Sequence, residues 1–146
     1  MLIPAALVVA LGAGVPLIFQ GGASSSATFP QGVALPAYVR GASLKVKAAY
    51  ADAIQHASVL QYIPCWCGCG QHSGHTSVHD CFVQYGHLSG GTVAFDEHGA
   101  NCDMCVELVQ DAKRLTEDGQ TIRQVRQYAT AKYGTYGPAT NTPPAP

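Results

Sequence analysis

Pro64-Cys65-Trp66-Cys67-Gly68-Cys69-Gly70 places three thiols two residues apart in a stretch that opens with proline and is broken by two glycines. Pro64 cannot continue a helix that reaches it, and Gly68 and Gly70 favour turns. The turns curl the backbone and converge the sulfurs into a concave nest, the donor set a soft metal ion takes. Cys81, Cys102 and Cys105 complete the six cysteines, so that all of them fall between positions 65 and 105. His72, His75, His79, His87 and His98 lie in the same window, leaving only His56 outside it.

Working outward, Val46, Tyr50, Ala53, Ile54, Ala57 and Leu60 recur at helical steps behind Ser43, a good N-cap, and this helix delivers the chain to Pro64. On the other side, Thr76 or Ser77 caps a short helix carrying His79, Cys81, Phe82 and Tyr85, and residues 88–99 read as an irregular loop or short hairpin. A second long helix is expected from Asn101 as N-cap, through Cys102, Cys105, Val106, Val109, Ala112 and Leu115, to a stop at Gly119. Thr121 and Gln124 fit a capping box for a third, with Ile122, Val125, Ala129 and Tyr133 on one face. The short connection makes the last two an antiparallel hairpin. The fold class is therefore all-α, a small domain of three to four helices with a cysteine-rich loop at residues 43–134. Residues 28–42 read as a linker without regular structure, and residues 135–146 as a disordered Pro-rich tail.

The first nineteen residues are apolar and uncharged and lead into Gly21-Gly22-Ala23-Ser24-Ser25-Ser26-Ala27, so residues 1–27 read as a signal peptide or membrane anchor. The expectation is an exported, extracytoplasmic protein, in the periplasm or at the cell surface, with a membrane tether and a membrane-protein partner. There, bare thiols are oxidised unless paired or metallated. A formal net charge of -1 with eight Lys plus Arg argues against nucleic acid as a partner.

Cys102 and Cys105 form a CxxC at a helix start, where free amides and the helix dipole favour thiolate; such a pair serves equally as metal clamp or redox dithiol. A disulfide between cysteines two apart is strained, whereas thiolates at that spacing share or bridge metal. The thiol count exceeds the four ligands of one structural zinc, which favours Cu(I), with zinc as the alternative and more than one ion as an option. The metal-ligand set is thus Cys65, Cys67, Cys69, Cys81, Cys102 and Cys105, with His79 and His98 as additional ligands. His72 and His75 share the approach to that set; His56 and His87 read as structural or exposed. Trp66 is placed to shield the sulfurs from water. Three disulfides, in any of fifteen pairings, and catalytic thiol exchange stay open beside the metal reading. No CxxCH, serine elbow, paired carboxylate motif or phosphate loop occurs, so the chain reads as a binding protein rather than an enzyme.

The pattern of residues 64–70, then His79-Asp80-Cys81-Phe82-Val83, His98 and Cys102-Asp103-Met104-Cys105-Val106 resembles the family named for its PCYCGC motif, with Trp66 in place of the tyrosine. The resemblance covers roughly residues 44 to 134. It implies an exported or lipid-anchored bacterial protein whose six cysteines act as a set, and a copper- or heavy-metal-handling role. The order of CxxC, helix, Gly119, capped helix and Tyr133-Gly134 is also similar to the small helical domain of the thiol oxidoreductases of cytochrome c maturation. That similarity implies an alternative in which Cys102 and Cys105 cycle between dithiol and disulfide. A disulfide-stapled accessory subunit of a membrane complex is the third option.

Overall fold

The computed structural model describes residues 27–84 and 93–146. The signal or anchor reading falls outside the described residues, as do Tyr85, His87 and part of the 88–99 loop. The fold is all-α: six helices run in the order α1 (Ala37–Arg40), α2 (Leu44–Gln55), α3 (Ala57–Leu60), α4 (Cys69–His72), α5 (Asp103–Glu117) and α6 (Ile122–Tyr133). Among the described residues there is no strand beyond one antiparallel bridge between Val83 and Phe95, and no helix is long and apolar enough to cross a membrane.

The core is the meeting of α2 with α5 and of α5 with α6. Helix α2 contributes Ala49, Tyr50 and Ala53, α5 contributes Cys105, Val106, Leu108, Val109 and Ala112, and α6 contributes Val125, Ala129 and Tyr133. These follow the three- and four-residue steps that put side chains on one helix face. Three of the expected end signals are present. The Ser43 hydroxyl accepts the Val46 amide, and Thr121 and Gln124 close a reciprocal capping box. Gly119, at φ 80°, ends α5 in the left-handed region while Gln120 N–H reaches back to the Leu115 carbonyl.

Four sequence expectations are corrected. The helix read through residues 46–60 breaks at His56, where φ -107° and ψ 22° leave the helical region, and resumes as the single turn α3. The stretch read as linker contains α1, which buries Val39 in the core. Asn101 does not cap α5: it closes a 3₁₀ turn at His98–Asn101, and Cys102, extended at φ -131° and ψ 97°, takes the N-cap position. The tail is not loose but packed. Thr140 is 7% exposed, Thr142 donates its hydroxyl to the Thr76 carbonyl at 2.6 Å, and Arg126 donates to the carbonyls of Tyr62 and Pro143. A Pro-rich composition signals the lack of helix or strand, and here the lack is filled by docking onto the cysteine loop.

The α5–α6 hairpin is locked by Asp111, whose carboxylate accepts from Lys132 at 2.6 Å and from the hydroxyls of Tyr133 and Tyr128 at 2.8 and 3.2 Å. Burial alone would raise the pKa of this carboxyl, but hydrogen bonds from Lys132, Tyr133 and Arg114 outweigh it and hold it below the usual value. A depressed folded-state pKa adds stability that is present above the unfolded carboxylate value and is lost as pH falls through the folded one. Asp111→Asn is expected to lower stability at pH 7 by about 1–2 kcal/mol, a hydrogen-bond loss discounted for the exposed ammonium. Denaturant titrations of both proteins from pH 7 to 3 check this: the gap should close as the acid limit is approached, and a pH-independent gap would count against it.

Candidate metal centre

The cysteine loop is carried by backbone contacts at both ends. Before it, Ile63 accepts the Val78 amide at 2.9 Å, which ties the loop entry to the following turn. Gly68, at φ 88°, reverses the chain in the left-handed region and lets α4 begin at Cys69. The tail clamps the middle: Cys65 N–H donates to the Thr140 hydroxyl and the Cys65 carbonyl accepts the Thr140 amide, each at 2.9 Å. Gly137 passes so close that an added Cβ would stand 2.8 Å from the Trp66 carbonyl oxygen. Trp66 is 4% exposed and packs in the core beside the loop.

Cys81 arrives on the 3₁₀ turn His79–Cys81. Asp80 shapes this turn by accepting the Thr76 amide and hydroxyl at 2.7 and 2.8 Å and the Ser77 amide at 3.2 Å. Burial opposes the Asp80 carboxylate, yet His79 and the Thr76 donors keep its pKa below the ordinary value. The third contribution comes from the turn before α5. There Gly99 lies against Phe82, and an added Cβ would meet the ring at 2.5 Å and the Cys81 carbonyl at 2.8 Å. This close approach brings His98 to the sulfurs, followed by Cys102 and Cys105 at the start of α5.

All six cysteines are free thiols. Cys67 Sγ stands 3.4 Å from Cys65, 3.6 Å from Cys105 and 3.2 Å from His98 Nε2. Cys65 and Cys105 are 3.5 Å apart, and Cys69 and Cys81 3.6 Å. A disulfide needs about 2.05 Å, whereas thiolates around one ion at about 2.3 Å in a tetrahedron stand about 3.8 Å apart. The sulfur spacing thus fits metal ligation far better than it fits covalent pairing. The donors form two groups that can each hold a metal ion, Cys65 with Cys67, Cys69 and Cys81, and Cys67 with His98, Cys102 and Cys105. Cys65, Cys69, Cys81 and Cys105 are at most 1% exposed, while Cys67 and Cys102 are partly open.

Of the residues expected from sequence, the six cysteines and His98 converge and His79 does not. His79 belongs to neither group; its Nδ1 lies 3.8 Å from Asp80 Oδ1, and its Nε2 is buried without a hydrogen-bond partner. Cys81, two positions on, faces the sulfurs, and positions two apart on a 3₁₀ turn of three residues per turn point about 120° away from each other. His75 takes a supporting place: its ring meets that of His98 edge-on at 5.4 Å, and its Nε2 lies 3.6 Å from Asp96 Oδ2. Asp96 Oδ1 accepts the His98 amide at 2.9 Å. Asp96, Thr140 and Gly99 escaped the sequence reading, since none lies in a cysteine motif or a periodic stripe.

With no metal the thiols share protons. Cys65 is pulled down to about 4, first by its contact with Cys105. Cys67 is lowered too, first by Cys102 and then by Cys105 and Cys65. Their neighbours go the other way. Cys69 is raised by Cys65 and Cys67, Cys81 by Cys105 and Cys65, and Cys105 by Cys102 and Cys65. At Cys102 the Cys105 contact lowers the pKa, but the Cys67 contact and burial outweigh it and push it up to about 11. The physical picture is one of Cys67 as the acceptor of S–H bonds from Cys65 and Cys105 within the cluster.

Fold and cluster together define a small helical protein built around a cysteine-histidine nest able to hold metal. The chain belongs to the family described as proteins of unknown function with the PCYCGC motif, whose model matches residues 25–146. The match includes the tail that clamps Cys65. No curated protein matches the chain, and no solved structure does. Nothing in these comparisons links α5 and α6 to the cytochrome c maturation oxidoreductases.

Two measurements follow from this geometry. Thiolate ligation requires the protonated sulfurs to lose their protons, so metal uptake near neutral pH should release protons, and apparent affinity should rise with pH. Uptake in weak buffer with a pH indicator reads this directly; proton-neutral uptake would contradict it. Thr140→Val keeps the shape but strands the Cys65 amide, at an expected cost of about 1–3 kcal/mol in thermal or denaturant unfolding.

Proposed function

We propose that the protein is an extracytoplasmic soft-metal-binding protein, with Cu(I) ahead of Zn(II), exported or tethered through its N-terminal apolar run. The observation that carries this reading is the convergence of six sulfurs and His98 Nε2, which form two groups that can hold metal. Thiolate is a soft donor, and soft thiolate sets select Cu(I) and zinc over the hard cations. Burial of four of the six sulfurs limits access by water and oxidants, which is the condition under which reduced sulfur persists outside the cytoplasm. The ligands are Cys65, Cys67, Cys69, Cys81, Cys102, Cys105 and His98. His75 and Asp96 orient His98.

The bound group would supply cross-linking and charge compensation to the sulfurs; the chain's own part is to hold them, exclude water and fix the imidazole. Such a protein stores, delivers or is stabilised by its metal, and a partner in delivery would meet the side on which Cys67 and Cys102 are open. Elemental mass spectrometry of anaerobically purified full chain, paired with a free-thiol count after denaturation, tests the proposal. The expected result is copper at one or more ions per chain, six titratable thiols, and zinc displaced when Cu(I) is added. Metal-free protein with no free thiols would establish disulfides instead, and metal-free protein with two reactive thiols would establish thiol exchange.

A further inference from the structure

The donors divide unevenly, and the division points to more than one ion. We propose that the centre is binuclear, with the Cys67 thiolate bridging two metal ions; this rests on the soft-metal reading above. Two four-coordinate ions need eight ligand positions. The chain brings seven donors, and they fall into two four-donor groups with Cys67 common to both. Counting Cys67 twice completes both shells with nothing left over. A thiolate sulfur has the spare lone pairs to bind two ions, which neither an imidazole nitrogen nor an amide has.

Cys65 and Cys105 also meet across the groups at 3.5 Å, but Cys67 is the one donor that belongs to both. It is the middle cysteine of the loop, and it touches members of both groups, Cys65 at 3.4 Å on one side, Cys105 at 3.6 Å and His98 Nε2 at 3.2 Å on the other. Cys69 and Cys81 pair with each other at 3.6 Å within the first group. The groups also differ in chain origin: the first is built by the loop, α4 and the turn carrying Cys81, the second by the turn carrying His98 and the start of α5. Charge agrees. Six thiolates around a single ion, monovalent or divalent, leave at least four negative charges in a site where four sulfurs are at most 1% exposed. A second ion lowers that burden, as buried charge requires.

The two positions are unequal. The all-sulfur group holds Cys65, Cys69 and Cys81 out of solvent and retains its ion. The group with His98 is partly open at Cys67, His98 and Cys102 and holds one nitrogen donor in place of a sulfur. It is the position through which metal enters and leaves.

The test uses reduced full-length protein and Co(II), whose tetrahedral thiolate complexes are coloured and paramagnetic. Titration should saturate at two Co(II) per chain. The electron paramagnetic resonance signal should rise over the first equivalent and fall over the second as the shared sulfur couples the two spins. Cys67→Ser should abolish the coupling, and His98→Ala should lose the second, weaker equivalent while the first remains, with circular dichroism confirming that each variant folds. Saturation at one ion, or two ions with simply additive signals in the unmodified protein, would overturn the binuclear centre while leaving metal binding intact. Absence of any uptake would overturn the soft-metal reading itself.

Discussion

Everything in this fold answers to one constraint: six sulfurs, four of them at most 1% exposed, are gathered into two groups whose donor atoms lie within 4.8 Å of one another in a small helical domain. Thiols make weak hydrogen bonds, and a cluster of them gains little from self-association in an apolar core. Backbone devices therefore do the converging. Gly68 reverses the loop, Asp80 winds the turn below Cys81, Gly99 lets the third segment approach Phe82, and Thr140 holds Cys65 from the tail. The α2–α5 and α5–α6 packing supplies the platform on which those devices sit. An ion at such a centre can matter as much as the whole core, since apparent binding energies of structural zinc in small domains, about 10–16 kcal/mol, equal or exceed the net stability of a typical domain, about 5–15 kcal/mol.

The aromatic cluster shows how the platform and the site are coupled. Tyr50 on α2 packs edge-on against Phe82 at 5.0 Å and Phe95 at 5.7 Å. Its hydroxyl donates to the Asp96 carbonyl at 2.6 Å. Asp96 in turn accepts the His98 amide through Oδ1 and approaches His75 through Oδ2. One helix residue thus ties, through Asp96, the aromatic cluster to the segment that carries the imidazole to the sulfurs. Positioning of this kind is what outer partners of a metal ligand supply.

The long helices were legible in sequence because their signals are local. Ser43, Thr121 with Gln124, and Gly119 act within one helical turn, and the stripes of α5 and α6 are periodic. The cysteine set was legible because residue type and crowding announce the chemistry. What spacing does not encode is direction. His79 and Cys81 sit on the same short turn, and only backbone geometry decides that the sulfur faces the cluster while the imidazole faces Asp80. Likewise Asn101 is as good a cap as any by composition, yet the close packing of Gly99 spends it in a 3₁₀ turn and leaves Cys102 to begin α5. The excess of thiols over four read as a sign of Cu(I), but two groups sharing Cys67 absorb that excess for either metal. The tail carried no pattern because its order comes from contacts 75 residues away in the chain.

That separation has a consequence in time. A chain made from its N-terminus presents Cys65, Cys67 and Cys69 long before Thr140 exists, so the loop emerges unlatched, with its thiols on a flexible arc. The latch is synthesised after the residues of α5 that bring Cys102 and Cys105 and after those of α6 that place Arg126 to receive the tail. The loop is therefore unlatched until the residues around Thr140 have been made, and whatever enters the nest has its widest approach in the interval before Thr140 falls into place.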